Sequence, residues 1–356
     1  MSNRRQCVDL EGTTSEWIDV KLGVPQGSIL GPILFLIYVN DINSSDHNAS
    51  FTKFADDTTI LTSGKTLHEA VENMNKSITN VDAWFRKNKL NLNPSKTRYM
   101  VFNCKTDETQ LVKIGDQYIQ RVWEKGKEKS FKLVGIQIDE QLKWVHHINY
   151  ISRKIDYANY GLSKVSKELD EKNKKLLYSG LIHSHLVYGL PMWGFAKKGR
   201  LVPLVTKQKK AIRKIHNLRY RDHTNDYFLK SKILKLPDLI KHTTVCYMQS
   251  GLHEFSPAHI KTLWSIRKQE REDLRSRDIK LDYTVTPKQW INDLSPIAQA
   301  KLWNNDIFNK TIDPWEFKYD SKQYYLDEYR KGPAKEEDVT ATPAHSPIPS
   351  STLPDV

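Results

Sequence analysis

Two short runs of strand-forming residues, 51–54 and 58–61, are separated only by Ala55, Asp56 and Asp57. So short a break between extended runs leaves one economical solution, a tight hairpin with acids at its tip. Adjacent carboxylates on a turn repel one another, and a divalent cation offsets that repulsion. Mg²⁺ prefers hard oxygen ligands and takes one or two carboxylates together with substrate phosphates. In a two-ion site, metals about 3.5–4 Å apart stabilise the attacking and leaving oxygens of an in-line phosphoryl transfer. Neighbouring strand residues face opposite ways, so Asp56 and Asp57 need not both be ligands. An Asp-Asp pair by itself is more often a plain exposed turn.

The flanking sequence supplies the context. Residues 9–22 alternate loosely about Glu11-Gly12 and read as an extended hairpin. Gly23-Val24-Pro25-Gln26-Gly27-Ser28 then forms a turn-rich loop that opens onto an apolar run at 29–39. Roughly 18 such residues are needed to span a bilayer, so the run is read as a buried helix and no membrane partner is expected. Thr66 and Glu69 make a capping box, and Leu67, Val71, Met74, Ile78, Val81 and Phe85 share one helical face. That helix ends before residues 91–94, because Pro94 restricts Asn93. Residues 99–102, 111–119 and 130–138 read as strands.

From His146 the pattern turns helical. Ile148, Ile151, Ile155, Ala158, Leu162 and Val165 form one apolar face; Leu176, Leu177, Leu181, Leu186 and Tyr188 a second; Leu204, Val205, Ala211, Ile212 and Ile215 a third. Between Glu140 and Ile240 there are 21 Lys plus Arg against 8 Asp plus Glu, which accounts for the whole net charge of +13. A basic block of this size suits a polyanion such as a nucleic-acid backbone, although a well-solvated helical surface has the same composition. His183 and His185 read as packing or capping groups and His146-His147 as the start of a helix, with no acid or cysteine cluster to make either pair a zinc site. Tyr157, Tyr160, Tyr178, Tyr188 and Trp193 read first as core, while the position of Tyr157 and Tyr160 among Arg153, Lys154 and Lys164 leaves a template contact open. Cys7, Cys104 and Cys246 are too scattered for a disulfide framework, which points to a reducing, intracellular compartment.

Several segments in this order resemble the reverse transcriptases of non-LTR (LINE-type) retrotransposons. Residues 23–32, Asn40-Asp41 and Phe54-Ala55-Asp56-Asp57 match the G-V-P-Q-G-S-x-L-x-P segment, the helix ending in N-D, and the Y/F-A-D-D hairpin of that family's palm. Residues 90–97 look like the next palm motif, residues 131–135 with Asp139 like the primer-grip hairpin, and residues 183–189 with Trp193 like a thumb helix. The resemblance implies an RNA-directed DNA polymerase acting on an RNA template, a DNA primer and dNTPs, with Mg²⁺ or Mn²⁺ as cofactor. On that reading Asp56 is a metal ligand with Asp57 its neighbour, and Pro25, Gln26, Gly27, Ser28 and Phe54 face template or incoming nucleotide. Lys96 would protonate the pyrophosphate leaving group, and Gly135 would let a hairpin approach the primer backbone. A surface lysine after a proline turn and a simple turn glycine remain alternatives for those last two.

In the family a further aspartate, within a hydrophobic F-D motif, lies several tens of residues before G-V-P-Q-G. None of the 22 residues before Gly23 makes that motif, and Asp9 and Asp19 sit in the hairpin that follows it. The fingers are likewise unmatched. Three readings follow: an N-terminally truncated piece of a working polymerase, a catalytically dead palm–thumb remnant that binds RNA or RNA–DNA hybrid, and a nonfunctional pseudogene product. The expected fold class is α+β: a partial palm over 1–140 with a short, mostly antiparallel sheet, a basic helical thumb over 141–245, a helical extension over 246–331, and a disordered tail over 332–356.

Overall fold

The computed structural model describes residues 4–20, 23–24, 27–104, 111–252, 265–266, 281–282 and 314–329. The chain divides into two compact units, Met1–Leu142 and Lys143–Val356. Helix and strand are mixed in the first, and helix dominates the second, so the α+β class holds at that level. The expected tail at 332–356 and most of 253–313 lie outside the described residues.

In the first unit, β1 (Arg4–Gln6) pairs antiparallel with β4 (Ile18–Val20), and β2 (Asp9–Leu10) with β3 (Thr13–Thr14). The turn between β2 and β3 is Glu11-Gly12, both at positive φ, the arrangement a two-residue hairpin requires. Helix α1 spans Leu30–Tyr38, followed by a 3₁₀ segment at Asn40–Ser45. Strands β5 (Ser50–Phe54) and β6 (Asp57–Leu61) form the acidic hairpin. Helix α2 (Leu67–Lys87) opens with the Thr66 hydroxyl accepting from the Glu69 amide at 3.1 Å. The Glu69 carboxylate takes the amide of Lys65 rather than that of Thr66, one residue out from the reciprocal bond of a capping box. The helix closes with Lys89 in the left-handed region and the Leu90 amide bonded back to the Phe85 carbonyl, a Schellman-type stop.

Beyond α2 lie β7 (Arg98–Tyr99), β8 (Lys113–Ile114), β9 (Gln117–Tyr118), β10 (Gln120–Arg121), β11 (Phe131–Leu133) and β12 (Ile136–Ile138). The strand expected at 111–119 is instead the small hairpin β8–β9, because Gly115 at φ +56° turns the chain in its middle. Among the described residues every strand belongs to a two-stranded ribbon, β7–β10 being parallel, so separate ribbons replace the single short sheet expected. Two apolar clusters hold the unit together. Val71 and Ile78 of α2 pack with Val112, Ile114 and Ile119; Val81 and Trp84 pack with Val39 and Ile42, and with Phe51 and Ile60 of the acidic hairpin.

The expectation of a buried helix at 29–39 is corrected. Gly31 is the one buried residue of α1, while Leu30, Ile33, Leu34, Leu36, Ile37 and Tyr38 are exposed and neighbouring Ile29 is 91% exposed. An apolar helix is buried only where another layer covers it. The described ribbons are too narrow to supply that layer.

In the second unit, α3 (Val145–Val165) turns Ile148, Ile151, Ile155, Ala158 and Leu162 inward and packs along α7 (Lys198–Ile215), which buries Leu201, Leu204, Ala211, Ile212 and Ile215. Between them come α4 (Glu171–Tyr178), a π turn at Ser179–His183, α5 (Ser184–Val187) and α6 (Leu190–Trp193). The π turn shifts the helical phase, so the face expected through Leu176, Leu181 and Tyr188 is exposed. Leu186 of that face is buried as expected, and Tyr178 and Ile182 are buried with it. Tyr178 and Trp193 are core, as expected, whereas Tyr157, Tyr160 and Tyr188 are not. Then follow α8 (Asn225–Ser231), α9 (Leu236–Leu252), the ribbon β13–β14 (Ser265–Ile266 with Leu281–Asp282) and α10 (Pro314–Glu328), which packs on α9.

Fully buried Gln208 of α7 joins three of these elements. Its amide nitrogen donates to the Tyr178 hydroxyl and the Leu234 carbonyl, each at 3.0 Å, and its carbonyl accepts from the Leu236 amide at 2.9 Å. Replacing it with Leu removes every partner at once, leaving backbone and hydroxyl groups unsatisfied. The expected cost is about 2–3 kcal/mol of stability. A urea midpoint unchanged from the parent protein would contradict that assignment.

Candidate functional site

The acidic hairpin has the register Phe51↔Ile60, Lys53↔Thr58 and Phe54↔Asp57, so Ala55 and Asp56 alone make its turn. Ala55 takes φ +53°, a left-handed value that costs an L-residue roughly 1–2 kcal/mol. The alternating pleat sends Phe51 and Ile60 into the α2 cluster and turns Phe54 and Asp57 to the other, exposed face. Asp56 projects from the tip and Asp57 from the first position of β6, and both are exposed.

Lys53 anchors the hairpin, a contact the sequence reading did not foresee. Its ammonium donates to the Asn40 carbonyl at 2.8 Å and the Val39 carbonyl at 3.4 Å, at the C-terminal end of α1 where a cation is favoured. The Tyr38 hydroxyl then donates to the Asn88 carbonyl at 2.5 Å, tying α1 to the end of α2. Hairpin, α1 and α2 are thereby fixed to one another. A lysine among strand residues gives no hint of this, because its target is a main-chain carbonyl 13 or 14 residues away in the sequence.

The preceding loop is described in part. Pro25 and Gln26 lie outside the described residues. Gly27 has φ +77° with open space around a built Cβ, so the requirement there is conformational rather than one of crowding. The Ser28 hydroxyl accepts from the Gly31 amide at 3.1 Å and so caps the first turn of α1. Lys96 is exposed in a turn organised by Asn93, whose side-chain oxygen accepts from the Ser95 amide at 3.1 Å and the Lys96 amide at 3.3 Å. No bond joins Lys96 to Asp56 or Asp57 among the described residues.

Val134 and Gly135 form the turn of β11–β12 at φ +45° and +85°. A β-branched residue in that region is a genuine outlier, so the turn is strained at Val134 as well as dependent on Gly135. Two residues beyond β12, the Glu140 carboxylate meets the Arg121 guanidinium at 3.3 Å, with both side chains largely buried, and the guanidinium lies 4.9 Å over the Trp123 ring.

Two adjacent exposed carboxylates meet the protein's usual share of one Mg²⁺ site. No group of three or more His, Cys, Asp or Glu placed to hold a metal occurs among the described residues. No helix among them is long and apolar enough to cross a membrane.

Residues 3–138 match the model of the reverse transcriptase (RNA-dependent DNA polymerase) family. The chain is similar to the RNA-directed DNA polymerase from mobile element jockey of Drosophila melanogaster, 24% identical over 255 residues, which is 68% of this chain and 27% of the relative. The jockey polymerase of Drosophila funebris is 24% identical over 271 residues, 73% of this chain and 28% of that protein. The probable RNA-directed DNA polymerase from transposon X-element of Drosophila melanogaster is 25% identical over 222 residues, 60% of this chain and 24% of its own length. The chain thus spans about a quarter of the length of these curated relatives. No solved structure matches it significantly.

Proposed function

We propose that the chain, whose residues 3–138 match the reverse transcriptase family, is part of an RNA-directed DNA polymerase of the kind carried by non-LTR mobile elements. The observation that carries the proposal is the Asp56-Asp57 pair, exposed at the tip of a two-residue hairpin inside the matched segment. In that polymerase Asp56, with Asp57 beside it, holds a divalent ion, Mg²⁺ or Mn²⁺. The ion supplies charge stabilisation of the phosphoryl group and of the leaving oxygen. Phe54 and the Pro25–Ser28 loop line the path of template and incoming dNTP, and Gly27 admits close approach of the backbone. Lys96 supplies a proton to the departing pyrophosphate. The Val134-Gly135 turn meets the primer strand.

The second unit, with its surplus of positive charge, binds the phosphates of an RNA–DNA hybrid. Binding of this kind releases counterions, so affinity falls steeply with salt. If six phosphates are engaged, hybrid affinity falls about a thousandfold between roughly 50 and 200 mM salt. A flat response in fluorescence anisotropy would sink this part of the proposal.

A remnant that binds hybrid without catalysis is the second reading. It is favoured by one observation, that no third acid joins Asp56 and Asp57 among the described residues. Extension of a primed template by the full parent polymerase, compared with this chain alone, separates the two.

A further inference from the structure

Helix α3 carries two strongly exposed aromatic rings within one basic stretch. Tyr157 is 76% exposed and Tyr160 63% exposed, although the same helix buries Ile155, Ala158, Asn159 and Leu162 on its other side. Arg153, Tyr157, Tyr160 and Lys164 recur at steps of four, three and four residues, which places them in one stripe along the helix surface. At 1.5 Å per residue the stripe is ~16 Å long. A single strand rises about 3.4 Å per nucleotide, so about five nucleotides cover it.

The chemistry at each position is suited to such a strand. Lys164 stands over the Tyr160 ring with its ammonium 5.3 Å from the centroid, at the exposed end of a flexible stem. Arg153, exposed at the other end, has no hydrogen bond or ion pair among the described residues. Along the α7 side, Lys207 pairs with Asp156, and the Lys214 ammonium bonds the Asn159 carbonyl and, at 3.0 Å, the Ser163 hydroxyl. These contacts occupy the two α7 cations on the flank of α3 that adjoins α7, leaving the tyrosine stripe to Arg153 and Lys164. Protein interfaces are depleted in lysine, and this stripe lies in the region with 21 basic against 8 acidic residues. In a duplex the base faces are already stacked on their neighbours, whereas unpaired bases have theirs free.

We propose that the Arg153–Tyr157–Tyr160–Lys164 stripe of α3 is a binding surface for unpaired nucleotides, with bases stacked on the two tyrosine rings and the backbone held by Arg153 and Lys164. The inference rests on the nucleic-acid reading above and adds to it a single-stranded partner and a defined surface. It places the template before copying, or a displaced strand, on this helix rather than the paired product.

The test uses the full chain, a fluorescein-labelled ten-nucleotide single strand, and a blunt RNA–DNA hybrid as comparison. Y157A/Y160A should weaken the single strand by about tenfold to a hundredfold, the range expected for losing stacking on one or two bases. Hybrid affinity should change by less than about threefold, and Y157F/Y160F should restore single-strand binding because stacking needs the ring and not the hydroxyl. Equal single-strand affinity for the alanine variant and the parent chain, where the parent binds with a salt-dependent constant, overturns the inference and leaves the broader reading intact. A parent chain that binds neither probe overturns both. If the alanine variant instead changes the sedimentation coefficient and leaves oligonucleotide binding alone, the face joins copies of the chain and the proposal fails.

Discussion

On the proposed polymerase reading, Asp56→Asn in a polymerase that carries this segment is expected to reduce primer extension by roughly a thousandfold, the several kcal/mol of charge stabilisation that a catalytic ion supplies. The substitution keeps the shape of the side chain and removes its charge. Asp56 sits in an exposed turn, and the hairpin beneath it is held by Phe51 and Ile60 in the α2 cluster and by Lys53 on the end of α1. Folding should therefore be unaffected, and hybrid binding by the basic unit should stay within about threefold. Asp57→Asn is a useful contrast, since Asp57 lies on the exposed face of the ribbon across from Phe54. Its loss should act through the same ion only if both carboxylates reach it. Extension retained at near-parent rates by Asp56→Asn, under Mg²⁺ and under Mn²⁺, would remove Asp56 from the metal site.

How far these features were legible depended on whether their causes were local. The acidic hairpin was legible because two short runs and a two-residue break determine a register with little help from elsewhere. The α2 helix was equally plain, with Thr66 at one end and a face repeating from Leu67 to Phe85. The run at 29–39 misled because apolar character says what a helix would bury and not whether a covering layer is present. The Leu176–Tyr188 face held only at Leu186, for a different reason: a π turn adds a residue to the helical period, which a fixed 3.6-residue pattern cannot register. Gly115 was a readable turn signal inside 111–119, with Asp116 beside it, that the strand-like composition obscured. Lys53 and Gln208 act through main-chain groups distant in sequence, and no local pattern announces such partners. The two tyrosines were visible from the start as an aromatic pair among basic residues; only their exposure distinguishes a platform from a core.

The second unit should lose stability on mild acidification, and its histidines set the window. Burial pushes His147 down to about 4 and, reinforced by nearby Lys322, Lys318 and His183, pushes His242 down to about 4 as well. His183, His185 and His216 are shifted in the same direction, with burial again the largest cause, even though Glu171 partly opposes it at His216. A histidine with a folded value below its unfolded 6.5 is neutral in the fold and takes up its proton more readily when unfolded. The unfolded chain therefore binds more protons between about pH 6.5 and 4, and stability falls with pH across that window while staying level above it. At one pKa unit per 1.36 kcal/mol, each of His147 and His242 costs about 2 kcal/mol by pH 5 and about 3 kcal/mol by pH 4. Both sites are structural. His147 stands edge-on to Trp193 with ring centroids 5.4 Å apart, and His242 meets the Ser321 hydroxyl of α10 at 3.0 Å with Cys246 beside it. Protonating His242 brings a cation toward Lys318 and Lys322, so α10 should release from α9 before the α3–α7 core opens. Hydrogen exchange at pH 7.5 and pH 5 can follow this order, with α9 and α10 losing protection first and α3 later. His147→Phe and His242→Asn should each flatten part of the pH dependence. Protection in α3 and α9 that is the same at both values would mean that these rings are not held neutral by burial, and the acid-sensitive packing assigned to them would have to be abandoned.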